Sequence, residues 1–294
     1  MSIVKSFSVG DGDMFYIKHG NDNFTIIDCC MSEQNKGAII KELKSASKGK
    51  SIVRFISTHP DDDHIRGLSD LNAEMNLLNF YCVKNEATKP DETDDFDEYC
   101  ALKDNPEKSF HLFRGCMRRW LNQDDGERGG SGIHILWPIT SNETYKEALK
   151  KAKEGKSYNN ISAIVKYGLN EGATVLWMGD IEANFMENIK SEITMDAADV
   201  LFAPHHGRRT GKVPKDWLDM MNPKIVIIGE APSKDLDYYQ DYNTITQNSA
   251  GAIILECVAV KTHIYVSNYD YSVDFLYDEN MPDTYGNYIG TLKV

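Results

Sequence analysis

His59-Pro60-Asp61-Asp62-Asp63-His64 places two imidazoles and three carboxylates within six residues. They follow the apolar run Ile52-Val53-Arg54-Phe55-Ile56, which reads as a buried strand. Carboxylates are hard ligands and imidazoles borderline ones, so the pattern predicts a metal site on the edge of a sheet. An Asp-rich helix N-cap with a flanking histidine is the plainer alternative. Two later apolar runs end in the same way. Gly179-Asp180 closes Thr174 to Met178, and Pro204-His205-His206-Gly207 closes Val200 to Ala203. Each of these alone is an ordinary turn or loop. Charged and imidazole groups are costly to bury unless paired or metal-bound, so three such clusters at the ends of three apolar strands are expected to converge.

The elements that must position them can be read from pattern and turn chemistry. Strands are expected at Ile3 to Val9, Met14 to Lys18, Phe24 to Asp28 and Ile52 to Ser57, with turns at Gly10 to Asp13 and Asn21 to Asn23. Gly37 to Ala46 and Gly67 to Glu74 read as helices, Leu77 to Val83 as a strand, and His111 to Asn122 as a helical stretch. Asp124 to Gly132 reads as a polar loop, Ile133 to Trp137 as a strand and Glu143 to Lys153 as a helix. Ile161 to Tyr167 and Thr174 to Met178 read as a hairpin. A helix at Ile181 to Ile189 and strands at Val200 to Ala203 and Ile225 to Ile228 follow. A late hairpin is expected from His263 to Val266 and Ser272 to Leu276, turning at Asn268 to Asp270. Two sheets packed face to face with helices outside satisfy this order, in a single domain spanning 1–294.

With 294 residues and 41% apolar content the chain can bury a large core. No apolar run is long enough to span a membrane and no signal peptide is visible, so a cytoplasmic protein without a membrane partner is expected. The six cysteines contain no C-x-x-C pair and read as reduced thiols. The net charge of -13 argues against a surface built to grip duplex nucleic acid. More than half of it lies in an insertion around 86–107, where nine acidic residues face two lysines. Such a run is expected to be a solvated face or loop, with a lid or partner-binding role as the alternative.

These motifs, in this order, resemble the metallo-β-lactamase superfamily, and within it the hydrolase domain of ComEC-type competence proteins and its stand-alone relatives. That branch carries H-x-D-x-D-H, matched by His59, Asp61, Asp63 and His64. Its opening motif is similar to Val9-Gly10-Asp11-Gly12-Asp13, and an Asp ending a later strand is matched by Asp28. Its Asn-x-Ser motif is similar to Asn160-Ile161-Ser162, its Gly-Asp motif to Gly179-Asp180, and its His-His-Gly motif to His205-His206-Gly207. The motifs span roughly residues 3–230; the part around 230–294 is divergent and lacks the family's closing Asn-x-x-x-His-Pro.

The resemblance implies an α/β fold, an αββα four-layer sandwich with one or two divalent ions, Zn or Mn, on its rim. His59 and Asp61 would hold the first ion, Asp63 and His64 the second, and Asp180 would bridge. His206, with His205 as the alternative, would complete the second site. No histidine stands at Ser157-Tyr158-Asn159-Asn160, where the superfamily often has a third ligand for the first ion. The implied activity is phosphodiester cleavage, acting on nucleic acid or a nucleotide through a metal-activated water. Asp63 or Asp180 would orient the water, while Arg208, Arg209 and Asn160 would bind substrate. The alternatives are hydrolysis of a small ester, lactam or thioester, and a non-catalytic binding module that keeps the fold. C-terminal tyrosines, Tyr238, Tyr239, Tyr242, Tyr265, Tyr269 and Tyr271, are available for base stacking or simply partly buried.

Overall fold

The computed structural model describes residues 1–294, the side chain of Ser233 excepted. Alternating apolar residues and Gly/Asn/Asp turns open the chain as a meander of β1 (Ser2–Ser6), β2 (Phe15–Lys18) and β3 (Asn23–Ile27), then the short β4 (Cys29–Cys30). There follow α1 (Lys36–Ala46), β5 (Ile52–Ser57), α2 (Asp62–Ile65), α3 (Leu68–Met75), β6 (Phe80–Val83), α4 (Asp94–Asp104) and β7 (Ser109–Leu112). The middle of the chain forms β8 (Ile133–Trp137), α5 (Glu143–Lys153), β9 (Ile164–Gly168), β10 (Thr174–Trp177), α6 (Ala183–Ile189) and β11 (Val200–Phe202). The last third forms α7 (Lys215–Met221), β12 (Ile225–Ile228), β13 (Thr244–Thr246), α8 (Gln247–Ala250), β14 (Ile253–Val258), β15 (Lys261–Val266) and β16 (Asn287–Lys293).

The strands make two mixed sheets. The nine-stranded sheet has the order β16-β15-β14-β1-β2-β3-β5-β6-β7, and the six-stranded sheet the order β13-β12-β11-β10-β9-β8. In the larger sheet β3, β5, β6 and β7 run parallel; in the smaller one β10 to β13 do. Strands of parallel sheets are buried on both faces, which is why β6, β11 and β12 read as unbroken apolar runs with no exposed residue. The sheets meet through aromatic side chains. The Phe15 ring of the larger sheet lies 5.9 Å from Trp177 and 4.8 Å from Phe202 of the smaller one, and those two rings stack at 5.3 Å. That seam lies directly behind the ends of β10 and β11, so the loops following those strands leave from a rigid base. Among the described residues no helix is long and apolar enough to cross a membrane, and all six cysteines are free thiols.

Three expectations are corrected. The stretch from His111 to Asn122 is not helical: it is the end of β7, a turn at Gly115 (φ +77°) and a bridge between Arg119 and Gln123. The Asn122 side chain takes the Arg118 amide at 3.0 Å and donates to the Cys116 carbonyl at 2.8 Å, competing with a helical ladder. The acidic stretch presents the expected solvated face, but on a helix rather than a loop: it contains α4. Thr93 caps that helix by accepting from the Phe96 amide, and Asp94, Asp95 and Asp97 sit in the first turn, where the dipole favours anions. Phe96, Tyr99 and Leu102 are buried, and Asp95 takes the amides of Gly67 and Ser69 at the start of α3. Finally, the late hairpin pairs β15 with β14 and β16. Ser272 to Leu276 forms no strand, and the divergent C-terminal part completes the larger sheet by pairing β14 with β1.

One buried polar cluster lies in the larger sheet. Arg54 on β5 donates to Thr25 Oγ1 (3.1 Å), Asn23 Oδ1 (2.6 Å) and the Trp120 carbonyl (2.8 Å). His19 Nε2 lies 2.9 Å from the same Thr25 hydroxyl. Burial, with Arg54 and Lys50 nearby, holds His19 well below its ordinary pKa, so it is neutral.

Candidate metal centre

Four loops bring the site together. Ser57 ends β5, and Thr58-His59-Pro60 leads to Asp61, which caps α2 by accepting from the Asp62 amide at 2.9 Å. This short helix places Asp63 and His64. After β10 the chain turns at Gly179 (φ +52°), where a Cβ would lie 2.8 Å from Ser162 and 3.0 Å from Thr58; glycine alone lets Asp180 sit this close to β5. After β11, His205 and His206 both adopt left-handed backbone conformations (φ 54° and 56°), at about 1–3 kcal/mol of strain each. The fourth loop lies between β1 and β2. At Gly12 a Cβ would come within 2.6 Å of the Asp63 carbonyl, and the Asp13 amide donates to that carbonyl at 3.1 Å.

The ligand atoms of Asp13, His64, Asp180 and His206 all lie within 4.8 Å of one another. His64 Nε2 is 3.0 Å from Asp180 Oδ1 and 4.0 Å from Asp63 Oδ1. His206 Nε2 is 3.2 Å from Asp63 Oδ2 and 3.5 Å from Asp180 Oδ2, and its Nδ1 is 3.2 Å from Asp13 Oδ1. Two donors on one ion at ~2.1 Å bonds stand about 3.0 Å apart at right angles and about 3.4 Å apart at the tetrahedral angle. Despite their proximity, His64 Nε2 and Asp180 Oδ1 make no hydrogen bond, nor does His206 Nδ1. Buried donors and acceptors left unpaired are rare. Imidazole and carboxylate edges that face each other at this spacing without hydrogen-bond alignment fit a shared cation.

The electrostatics are those of a charged centre. Burial works against the charge on His64, but Asp180 and Asp28 outweigh it and hold the imidazole well above its ordinary pKa. Burial likewise opposes the charge on His206, and Asp13 and Asp180 prevail. Asp180 is pushed well below the carboxylate range and Asp63 below it too; in both, the two imidazoles outweigh burial.

Behind the ligands stands Asp28, at the end of β3. Its Oδ2 accepts from His64 Nδ1–H at 2.9 Å and from the Thr58 hydroxyl at 2.6 Å, and its Oδ1 from the Thr58 amide at 2.7 Å. The Thr58 proton goes to Asp28, so its oxygen, 3.1 Å from His59 Nδ1, must accept from that nitrogen. This fixes the His59 tautomer and leaves a lone pair on Nε2, which is buried and unpartnered. Burial and the neighbouring His64 lower the pKa of His59 to about 3. One carboxylate thus orients two imidazoles, the usual second layer of a metal site.

Of the residues singled out from sequence, Asp63, His64, Asp180 and His206 come together. His59 lies beside them, its ring 4.1 Å from that of His64, yet neither it nor Asp61 joins a three-ligand cluster among the described residues. Asp61 instead faces Lys89 Nζ at 3.6 Å. His205 stands at the edge, Nε2 3.7 Å from Asp180 and Nδ1 2.8 Å from the Thr210 hydroxyl. Asn160 is engaged with Glu182, donating to its carboxylate at 2.7 Å and accepting from its amide at 3.0 Å. Arg208 is paired with Asp11, and Arg209 with Asp235 and Asp237 at 3.3 and 3.5 Å. Asp13 and Asp11 as possible ligands, and Lys89 as a neighbour, were missed. Asp13 and Asp11 sit in the Gly-Asp-Gly-Asp turn, whose similarity to the family's opening motif was the available signal, and their approach to Asp63 and His206 makes them candidate ligands.

No family model matches the chain, and no curated protein matches it. The class defined by fold and site together is therefore an α/β protein of two mixed sheets, with a buried His–Asp cluster where strands of both sheets end.

Proposed function

We propose that the protein is a metal-dependent hydrolase of the metallo-β-lactamase type, a single αββα domain that cleaves phosphodiesters. The observation that carries this reading is the convergence of Asp63, His64, Asp180 and His206 from the ends of β5, β10 and β11, with unpartnered His64 Nε2 and Asp180 Oδ1 turned into the same space. Asp13, His64, Asp180 and His206, with Asp63 beside them, would hold one ion, and an N/O set of this kind suits zinc or manganese. A divalent cation there supplies a nucleophilic water at neutral pH and a Lewis acid for a phosphoryl oxygen.

The chain's own residues do the rest. Asp180 is 3% exposed, whereas Asp63 is 24% exposed. Asp63 is thus the more exposed of the two carboxylates, and, held ionised by the two imidazoles, it would orient a water by accepting its hydrogen bond. Arg208 borders the same space, 31% exposed, with Nε buried and unpartnered. Its guanidinium is held by the exposed carboxylate of Asp11, which an incoming phosphate displaces. A net charge of -13 favours a nucleotide or short single strand over a long duplex. The test is metal content after reconstitution, followed by hydrolysis of a chromogenic phosphodiester, single-stranded DNA, RNA and cyclic nucleotides with Mn or Zn. Retention of hydrolysis in both His64→Ala and Asp180→Ala refutes the reading. Bound metal with no turnover of any phosphodiester points instead to an ester, lactam or thioester substrate.

A further inference from the structure

Asp61 and Asp62 open α2 beside the centre, and a cation from the chain already serves them. Lys89 lies between β6 and α4, in the stretch whose charge is otherwise overwhelmingly negative. Its side chain is 6% exposed, and lysine is almost never buried this far without a partner. Nζ is 3.6 Å from Asp61 Oδ1 and in direct contact with Asp62 Oδ1. The rings of Phe96 and Tyr158 flank it, with centroids at 5.4 and 5.3 Å, within the range of a cation–π contact. The Tyr158 hydroxyl donates to the Thr88 carbonyl at 2.6 Å, so the ring is anchored to the segment that carries Lys89.

Resting on the metal reading of the centre, we propose that Lys89 is a built-in substitute for a second ion. Its ammonium neutralises Asp61 and Asp62, and the protein binds one divalent cation, held by Asp13, His64, Asp180 and His206. The geometry around Asp61 supports this. One of its oxygens caps α2 and faces Lys89. The nearby loop residue that reaches Lys89 is Tyr158, whose phenol ring supplies a face rather than a lone pair. His59 keeps a free lone pair at Nε2. His59 and Asp61 join no three-ligand group among the described residues, and a divalent cation beside Asp61 meets direct charge repulsion from the ammonium 3.6 Å from its carboxylate. The position is occupied by a charge that no chelator removes.

The test is stoichiometry, read on the folded protein independently of turnover. Wild-type protein saturated with Mn, then freed of excess ion, is expected to carry one equivalent and to show an uncoupled manganese resonance. Lys89→Ala opens the position, leaving Asp61 and Asp62 without their cation, and is expected to gain a second, weaker equivalent with a spin-coupled signal. Lys89→Met fills the aromatic cage without charge and is expected to behave the same way; it serves if the alanine variant does not fold. Two equivalents in the wild type overturn the proposal while leaving the metal reading intact. A folded variant that still binds one equivalent overturns the role given to Lys89. No bound metal in the wild type overturns the metal reading, and this inference with it.

Discussion

Loading the centre with a divalent cation expels protons, and their number follows from the contacts. In the metal-free protein His64 is held charged by Asp180 and Asp28 against the cost of burial, and His206 by Asp13 and Asp180. A metal takes imidazole nitrogen only in its neutral form, so each histidine surrenders one proton as the ion enters. Both pKa values are raised well above the ordinary 6.5, so the two protons compete with the ion, and more strongly as pH falls. Below both raised values the apparent affinity is expected to rise about 100-fold per pH unit, the slope set by two protons. Titration calorimetry at pH 7 in two buffers of different ionisation heat gives the count directly. About two protons released per ion are expected in the wild type and about one in His206→Gln. A release near zero in a protein that binds the metal would refute the reasoning, because it would mean that both imidazoles are neutral before the ion arrives.

Three other outcomes follow from single contacts. Asp28→Asn removes the carboxylate that accepts from His64 Nδ1–H and the Thr58 hydroxyl. Metal affinity is expected to fall about 10–100-fold, and unchanged affinity in a calorimetric titration would show that Asp28 does not orient the ligand. Asp13→Ala is expected to weaken metal binding, whereas Asp61→Ala mainly costs a helix cap, about 1 kcal/mol of stability; the reverse order in parallel titrations and urea melts rules out the assignment. His19 binds no proton when folded, because burial holds its pKa well below 6.5, whereas the unfolded chain takes one up as pH falls through that value. Its contribution is therefore complete above about pH 6.5 and lost at up to ~1.4 kcal/mol per pH unit below it. His19→Gln is expected to flatten the fall of the urea midpoint between pH 7 and 5, and an identical slope in both proteins contradicts this account.

The centre was legible where a costly group follows an apolar strand. His64, Asp180 and His206 each stand within a few residues of a strand end, and burial without partners would be prohibitive, so their convergence could be inferred from the chain alone. Asp13 was not legible in that way, because its loop reads as a turn and enters the site by the close approach of Gly12 to the Asp63 backbone. Lys89 was hidden by its surroundings, since one cation in an acidic stretch looks like a solvated charge until Phe96 and Tyr158 enclose it. The helix α4 was missed for a related reason: its polar composition masked the burial of Phe96, Tyr99 and Leu102. Strand order lies further out of reach. Nothing local tells β14 to pair with β1, although that pairing joins the two ends of the chain into one sheet.

The ligands come from loops attached to both sheets, with Asp13, Asp63 and His64 on one and Asp180 and His206 on the other. An unfolded chain cannot gather positions so far apart, because closing such loops costs entropy before any bond to the ion forms. A cation held there would therefore bind the native state almost exclusively and act as a rivet across the seam, adding about 2.7 kcal/mol at a hundred times its dissociation constant. Because the site exists only once both sheets are docked, that energy lengthens the lifetime of the folded protein rather than hastening its formation. Metal supply in the surroundings would then set how long the molecule resists proteolysis, quite apart from whether it turns over a substrate.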